Sequence, residues 1–170
     1  MLSRLLHPCS IVRVQSWDSA ASVPSASDPV AGVRWPLEVG TVAAGLVDVL
    51  CIGPTEWLVI GRNADGAELC GRLGTALGGS ALSATDVSQG LGRIELEGPA
   101  VREFLLKGCS LDLHPDRFPP GRCARTRFAG IPTVLRCQSP STFEGIVAAS
   151  HLGYLQVWIA HQESEMSSSW

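Results

Sequence analysis

Lysine is nearly missing from this chain: of 13 basic residues only Lys107 is a lysine, and the formal net charge is −3 over 170 residues. No lysine-rich arm exists to neutralise a phosphate backbone, which speaks against nucleic acid as a partner. The six cysteines, Cys9, Cys51, Cys70, Cys109, Cys123 and Cys137, include no C-x-x-C pair. That removes the usual spacing of a zinc site or a dithiol motif and leaves most of them as small buried hydrophobes. His7, His114, His151 and His161 lie far apart and form no H-E-x-x-H arrangement, so no metal site is expected. Neither G-x-G-x-x-G after a strand nor G-x-x-x-x-G-K-[ST] occurs, and with them go two common ways of holding a nucleotide phosphate. Gly90-Leu91-Gly92 is a weak imitation that reads better as a hairpin turn between two strands. No run approaches the roughly 18 consecutive apolar residues of a membrane-spanning helix. The opening MLSRLLHPCS is too short in apolar residues for a signal peptide. The expectation is a cytoplasmic, reduced protein with no membrane partner.

What the chain does have is apolar material. Hydrophobic residues make up 45% and charged residues only 17%, enough for one well-buried domain. Residues 16–31, SWDSAASVPSASDPVA, lack periodicity and read as an arm or linker. Residues 162–170, QESEMSSSW, read as a polar tail. The expected organisation is an N-terminal arm over 1–36, partly flexible, an α+β domain over 37–161, and the tail.

Between arm and tail, strand and helix signals alternate. Leu46 to Ile52 and Trp57 to Ile60 are apolar, β-branched runs joined by the Gly53-Pro54-Thr55 turn. Asp65 with Glu68 three residues on predicts a capping box for a helix that buries Leu69, Leu73, Ala76 and Leu77 and ends at Gly78. A strand over Leu82 to Val87 follows. Arg93-Ile94-Glu95-Leu96-Glu97 alternates strictly, which puts two aliphatics on a core and three charges in water. Gly98-Pro99 opens a helix with Val101, Phe104 and Leu105 on one face, and Gly108 closes it. Arg122 to Phe128, Ile131 to Cys137 and Phe143 to Ala148 predict three strands, the first two meeting at Ala129-Gly130. Ser150 predicts the cap of a last helix bearing Leu152, Leu155, Trp158 and Ile159. This order predicts an α+β fold built of ferredoxin-like βαβ units.

Chemistry is sparse. Asp86 and Ser88 have no histidine near them in sequence, so satisfying backbone donors at a strand end is their expected work. His114, in Asp112-Leu113-His114-Pro115, is accompanied by no nucleophile motif, and a loop histidine bonded to nearby backbone is the simpler reading. Arg117, Arg122, Arg125 and Arg127 form a cluster that is either a solvated strand face or a set of forks for carboxylates across an interface. Of the tryptophans, Trp57 and Trp158 sit in periodic segments and are expected in the core. Trp35 and Trp170 are the expected interface anchors.

Two stretches resemble one family. Gly53-Pro54-Thr55-Glu56-Trp57-Leu58 is similar to the GP-[DE]-EWL segment of sarcosine oxidase gamma subunits. From Asp86 to Arg122, DVSQG followed by LGRIELEGPAVREFLLKGCSLDLHPDRFPPGR resembles that family's DVSHG, GP-opened helix, KGCPLDLHP and FPPGRC. Gln89 stands where the family has histidine, Leu91 where arginine is frequent, and Ser110 where proline is common, which loosens the 108–115 loop modestly. The family's fold is similar to that of the glycine-cleavage T-protein, so the resemblance implies a folate-binding-type α+β architecture without implying folate binding. It also implies a non-catalytic subunit of heterotetrameric sarcosine oxidase, with alpha, beta and delta subunits as partners. No cofactor is expected on this chain alone; FAD, FMN, NAD and tetrahydrofolate are expected in the other subunits. The residues singled out as structural or interface candidates are Trp57, Asp86, Ser88, Gly98, Pro99, Gly108, Cys109, Asp112, His114, Pro119, Pro120, Gly121 and Arg122. Competing expectations are a subunit of a complex acting on another N-methyl amino acid, and a free-standing binding module. A self-sufficient aminomethyltransferase is disfavoured by the chain's length.

Overall fold

The computed structural model describes residues 2–6, 10–17, 32, 34–62, 65–77 and 82–167. In chain order the elements are β1 (Leu2–Leu5), β2 (Ser10–Ser16), β3 (Val42–Ala44), β4 (Val47–Gly53), β5 (Glu56–Gly61), α1 (Gly66–Ala76), β6 (Leu82–Asp86), β7 (Leu91–Glu97), α2 (Val101–Leu106), β8 (Cys123–Phe128), β9 (Ile131–Ser139), β10 (Thr142–Ala148) and α3 (Leu152–Ser167). The contacts divide the chain into two units, Pro8–Gln89 and Met1–His7 with Gly90–Trp170. Each has its own five-stranded antiparallel sheet.

In the Pro8–Gln89 unit the strand order is β3-β4-β5-β2-β6. The two apolar runs read from sequence are β4 and β5, which pair antiparallel from Val47↔Gly61 to Gly53↔Glu56. Every residue of β4 is buried. Its one carboxylate, Asp48, is paired with Arg62 at 3.0 Å, as a buried charge requires. Between β5 and β6, α1 crosses over, and β2 lies between those two strands, which makes a split βαβ unit of the ferredoxin-like kind. Asp65 caps α1, its Oδ1 accepting from Ala67 N at 2.7 Å. Leu69, Leu73 and Leu77 are buried at the spacing of one helix face, whereas Ala76, expected among them, is exposed. The expected end at Gly78 lies outside the described residues.

The other unit has the order β1-β7-β10-β9-β8. Its helices cover one face of the sheet, and the core there gathers Ile94, Leu96, Phe104, Phe128, Leu135, Phe143, Leu155 and Ile159. Phe104, Phe128 and Trp158 meet edge to face, with centroids 5.2 to 6.5 Å apart, the arrangement that aromatic quadrupoles favour. Ala129 and Gly130, at φ of 52° and 79°, make the two-residue turn between β8 and β9.

Several expectations are corrected. Residues 2–16, read as part of an arm, supply β1 and β2, and β2 is an interior strand between β5 and β6. The four-residue LSRL and the short run SIVRVQS carry too little periodicity to be told from linker by pattern alone. At the other end α3 runs to Ser167, through most of the expected tail. Ser150 falls inside a 3-10 turn, Ala149–His151, that leads into α3. Gly90-Leu91-Gly92 is not a hairpin turn, because β6 pairs with β2 and β7 with β1 and β10. The chain there passes from one sheet to the other. Trp35 is no surface anchor: it is buried and packs edge to face on Trp57 with centroids 5.9 Å apart. Trp170 lies outside the described residues. Among the described residues no helix is long and apolar enough to cross a membrane.

Candidate functional site

The stretch from Gly98 to Arg122 is built in layers from the sheet outward. Gly98, at φ 154°, turns the chain out of β7, and its N–H donates to Ser141 O at 3.0 Å. Pro99 is exposed beside it, and α2 then buries Val101, Phe104 and Leu105. Gly108 ends this helix under a tight ceiling: a Cβ there would stand 2.8 Å from the Trp158 ring and 3.0 Å from Ala129 N. Its carbonyl accepts from Ala129 N at 3.0 Å, tying the loop to the β8–β9 turn. Cys109 is buried next, its Sγ 3.5 Å from Thr126 Oγ1.

The loop beyond it is held by short local bonds. Asp112 Oδ1 accepts from His114 N at 3.0 Å, and His114 O accepts from Arg117 N and Phe118 N at 2.9 and 2.8 Å. His114 Nδ1 accepts from Asp116 N at 3.3 Å. Its imidazole is exposed, and the Asp116 carboxylate, 3.6 Å from Nδ1, is more exposed still. Leu113 and Phe118 turn inward, and Phe118 stacks on Phe143 with centroids 6.3 Å apart. Pro119 O accepts from Arg122 N at 3.2 Å around Pro120 and the left-handed Gly121, and Gly121 N reaches Cys137 O at 3.0 Å. Three prolines, Pro115, Pro119 and Pro120, and three such turns leave this backbone little freedom to lose.

One side chain holds the loop from beneath, and sequence reasoning did not find it. Arg102 of α2 donates through Nη1 to Leu113 O, and to Phe118 O at 3.2 Å, while its guanidinium carbon stands 4.8 Å over the Phe143 ring. Its Nη2 also meets Cys137 Sγ at 3.5 Å. Burial pushes the Cys137 thiol up, against the opposing pull of Arg102, and burial likewise raises Cys51. Both thiols are therefore expected to react with a disulfide reagent at pH 8 only after unfolding, and prompt labelling of the native chain would contradict their placement.

The sheet's opposite face is polar and buried, which overturns the expectation that Arg93 and Glu95 stand in water. Glu144 accepts from Arg93 Nε and Arg136 Nε, with Gln138 Nε2 at 3.2 Å. Glu95 lies directly across from Glu144 in the β7–β10 pair and is held by Arg4 at 2.6 Å. Strict alternation correctly separated Ile94 and Leu96 from the charges. It carries no information about what lies over the second face.

Trp57, Asp86 and Ser88 belong to the Pro8–Gln89 unit. Trp57 is core, its Nε1 donating to Pro36 O at 2.7 Å. Ser88 Oγ donates to Asp86 Oδ1 at 2.5 Å and accepts from Ile11 N at 2.9 Å, while Ser88 N donates to the same carboxylate oxygen at 2.9 Å. The pair satisfies the ends of β2 and β6, as its sequence context suggested, and it presses on the start of α1. A Cβ on Gly66 would lie 2.3 Å from Ser88 Oγ and 2.6 Å from Asp86 Oδ1. Gly66→Ala is expected to destabilise by about 1–3 kcal/mol through forced displacement of that pair, read as a lower urea midpoint at unchanged slope. An unchanged midpoint would contradict the close approach.

The Ser88 hydroxyl and the Asp86 carboxylate are bonded to each other and to the ends of β2 and β6. Among the described residues no group of three His, Cys, Asp or Glu side chains is placed to hold a metal ion. The geometry is that of a shaped, internally satisfied surface.

The family model described as "Sarcosine oxidase, gamma subunit family" matches residues 16–165. The chain belongs to the sarcosine oxidase gamma subunit family. The sarcosine oxidase subunit gamma of Corynebacterium sp. (strain P-1) is 34% identical over 139 residues, covering 81% of this chain and 68% of that protein. Among solved structures, a chain of heterotetrameric sarcosine oxidase from Corynebacterium sp. U-96, in complex with pyrrole 2-carboxylate, superposes at TM-score 0.86 with 27% identity. That match covers 99% of this chain and 86% of that one. The aminomethyltransferase T of the glycine cleavage system from Bartonella henselae superposes at TM-score 0.66 with 10% identity over 92% of this chain and 44% of that one. At that identity the likeness shows the fold alone, and the fold is the α+β architecture expected of a gamma subunit family member.

Proposed function

We propose that the chain works as a structural subunit of a sarcosine-oxidising complex, packing against alpha, beta and delta partners and contributing no catalytic group of its own. The observation that carries this reading is the superposition of 99% of the chain on a chain of a heterotetrameric sarcosine oxidase. The character of the 98–122 loop supports it. A segment fixed by prolines, turns and Arg102 loses little entropy on docking, which is what a rigid packing element needs. In this reading FAD, FMN, NAD and tetrahydrofolate reside in the other subunits, and the assembly acts in the cytoplasm. There it oxidises sarcosine to glycine, reduces oxygen to peroxide and passes the one-carbon unit to tetrahydrofolate.

The test is co-expression of the tagged chain with its neighbouring reading frames, purification through the tag, and an absorbance scan. A yellow assembly of four different chains that makes peroxide from sarcosine is expected. A colourless chain purified alone from cells that contain all four would contradict the proposal.

A further inference from the structure

The sheet of the Pro8–Gln89 unit ends on β6, which among the described residues pairs with β2 alone. Two hydrogen bonds show which way the backbone of β6 faces. Val87 N donates to Ile11 O and Ser16 N donates to Thr55 O, each at 2.9 Å. One step beyond the pairs Val12↔Asp86 and Gln15↔Glu56, both bonds join residues directly opposite each other, so the odd residues of β2 bond toward β6 and the even ones toward β5. Ser83 and Thr85 therefore turn their N–H and C=O groups toward Gln15 and Arg13. By alternation, those of Leu82, Ala84 and Asp86 point away from the sheet.

This edge lacks the usual protections. The register of β6 with β2 is unbroken over its 5 residues, it contains no proline or lysine, and its one charge stands at its last position. Neither a bulge nor a missing donor nor a charge along the strand blunts it. Leu82 and Ala84 are half-buried, packed with Cys70 against the core that Leu69, Leu73 and Leu77 of α1 complete. An apolar side chain laid beside them extends that core. The strand is already fixed between β2 and α1, so little ordering accompanies docking.

The charge at one end of the edge says what kind of strand fits. Residues 8–89 hold eight carboxylates against four arginines and no lysine. Asp86 ends β6 and is exposed. A Cβ on Gly66 would stand 2.6 Å from its Oδ1, which places the exposed Asp65, the residue before Gly66, at the same end of the strand. Asp86 accepts from Ser88 N and Oγ, and Asp65 from Ala67 N. These donors are neutral, and among the described residues neither carboxylate is paired with a cation. We infer that the open edge of β6 takes up an extended segment of a partner subunit as an added strand, apolar beside Leu82 and Ala84 and basic where it meets Asp86 and Asp65. Its backbone pairs with the outward groups of Leu82, Ala84 and Asp86. The inference rests on the subunit reading, whose partners supply the segment.

Three measurements on the co-expressed assembly test it. In the first, amide exchange is compared between the isolated chain and the assembly. The amides of Leu82, Ala84 and Asp86 are expected to slow at least tenfold on assembly, while those of Ser83 and Thr85, already paired to β2, start slow. Outward amides that exchange at the same rate in both states would overturn strand addition. In the second, Ala84→Pro removes an outward N–H and leaves the β2–β6 bonds in place, a substitution that edge strands accept. It is expected to lower recovery of partner subunits at least tenfold with little change in the thermal melt. In the third, the double variant Asp65→Ser, Asp86→Asn keeps a helix cap and an acceptor but no charge, and is expected to lower recovery at least threefold at 0.15 M salt. Undiminished recovery would overturn the added strand for the proline variant and the basic partner for the double variant. If the wild-type chain recovers no partner subunit at all, the subunit reading fails first and this inference with it. Wild-type recovery without amide protection overturns this inference alone.

Discussion

Replacing Glu144 with alanine is expected to destabilise the chain by about 3–5 kcal/mol, among the largest effects of any single substitution here. The carboxylate is fully buried and holds Arg93 and Arg136, whose side chains are only 12% and 6% exposed. Truncating it leaves two guanidinium groups away from water without their shared counter-charge. Glu95, directly opposite, is already committed to Arg4. Glu144→Gln keeps the shape and one acceptor and is expected to fall between. Replacing Arg93, Glu144 and Arg136 together with apolar residues of similar volume is expected to recover most of the loss, because such a triad stabilises little relative to good packing. Urea unfolding reads all three. A loss below about 1 kcal/mol for Glu144→Ala would mean that water reaches the cluster.

Arg102→Ala is expected to lower stability by roughly 2–4 kcal/mol, since it strips a charged donor from two loop carbonyls and a cation from an aromatic face. Its second effect is local. Leu113 O and Phe118 O lose their donor, so amides of the 109–121 segment are expected to exchange faster even where the sheet remains protected. Arg102→Lys keeps the charge but not the fork that spans both carbonyls, and is expected to restore stability only in part. Equal loop exchange in the wild type and Arg102→Ala would show that the prolines and turns hold the loop unaided.

The difference between what sequence could and could not show follows from the range of the interactions involved. The β4–β5 pair, the Asp65 cap, the Ala129–Gly130 turn and the Asp86–Ser88 bonds are set by neighbours a few residues apart, and each is readable from pattern and turn chemistry. The position of β2 is not, because its partners lie some 40 to 75 residues away in β5 and β6. Arg102 lies beside the Val101, Phe104 and Leu105 face of α2, and nothing in its own turn reveals that the chain folds back over it. A signal for Glu144 did exist: a lone acid in the apolar run Phe143 to Ala148, which contains no other charge, marks a position that needs a partner if buried. Its partners, Arg93 and Arg136, come from the two neighbouring strands.

The central claim is that this chain shapes an assembly without supplying a reacting group. It is tested most directly by measuring sarcosine-dependent peroxide production per bound flavin in complexes carrying His114→Ala or Ser88→Ala in this subunit. These positions hold the one loop imidazole and the one hydroxyl with a carboxylate beside it that sequence reasoning singled out. The account predicts turnover within about twofold of wild type, whereas loss of a general acid or base lowers rate by roughly 10²–10⁴-fold. A drop of that size, with flavin content and subunit recovery unchanged, would contradict it.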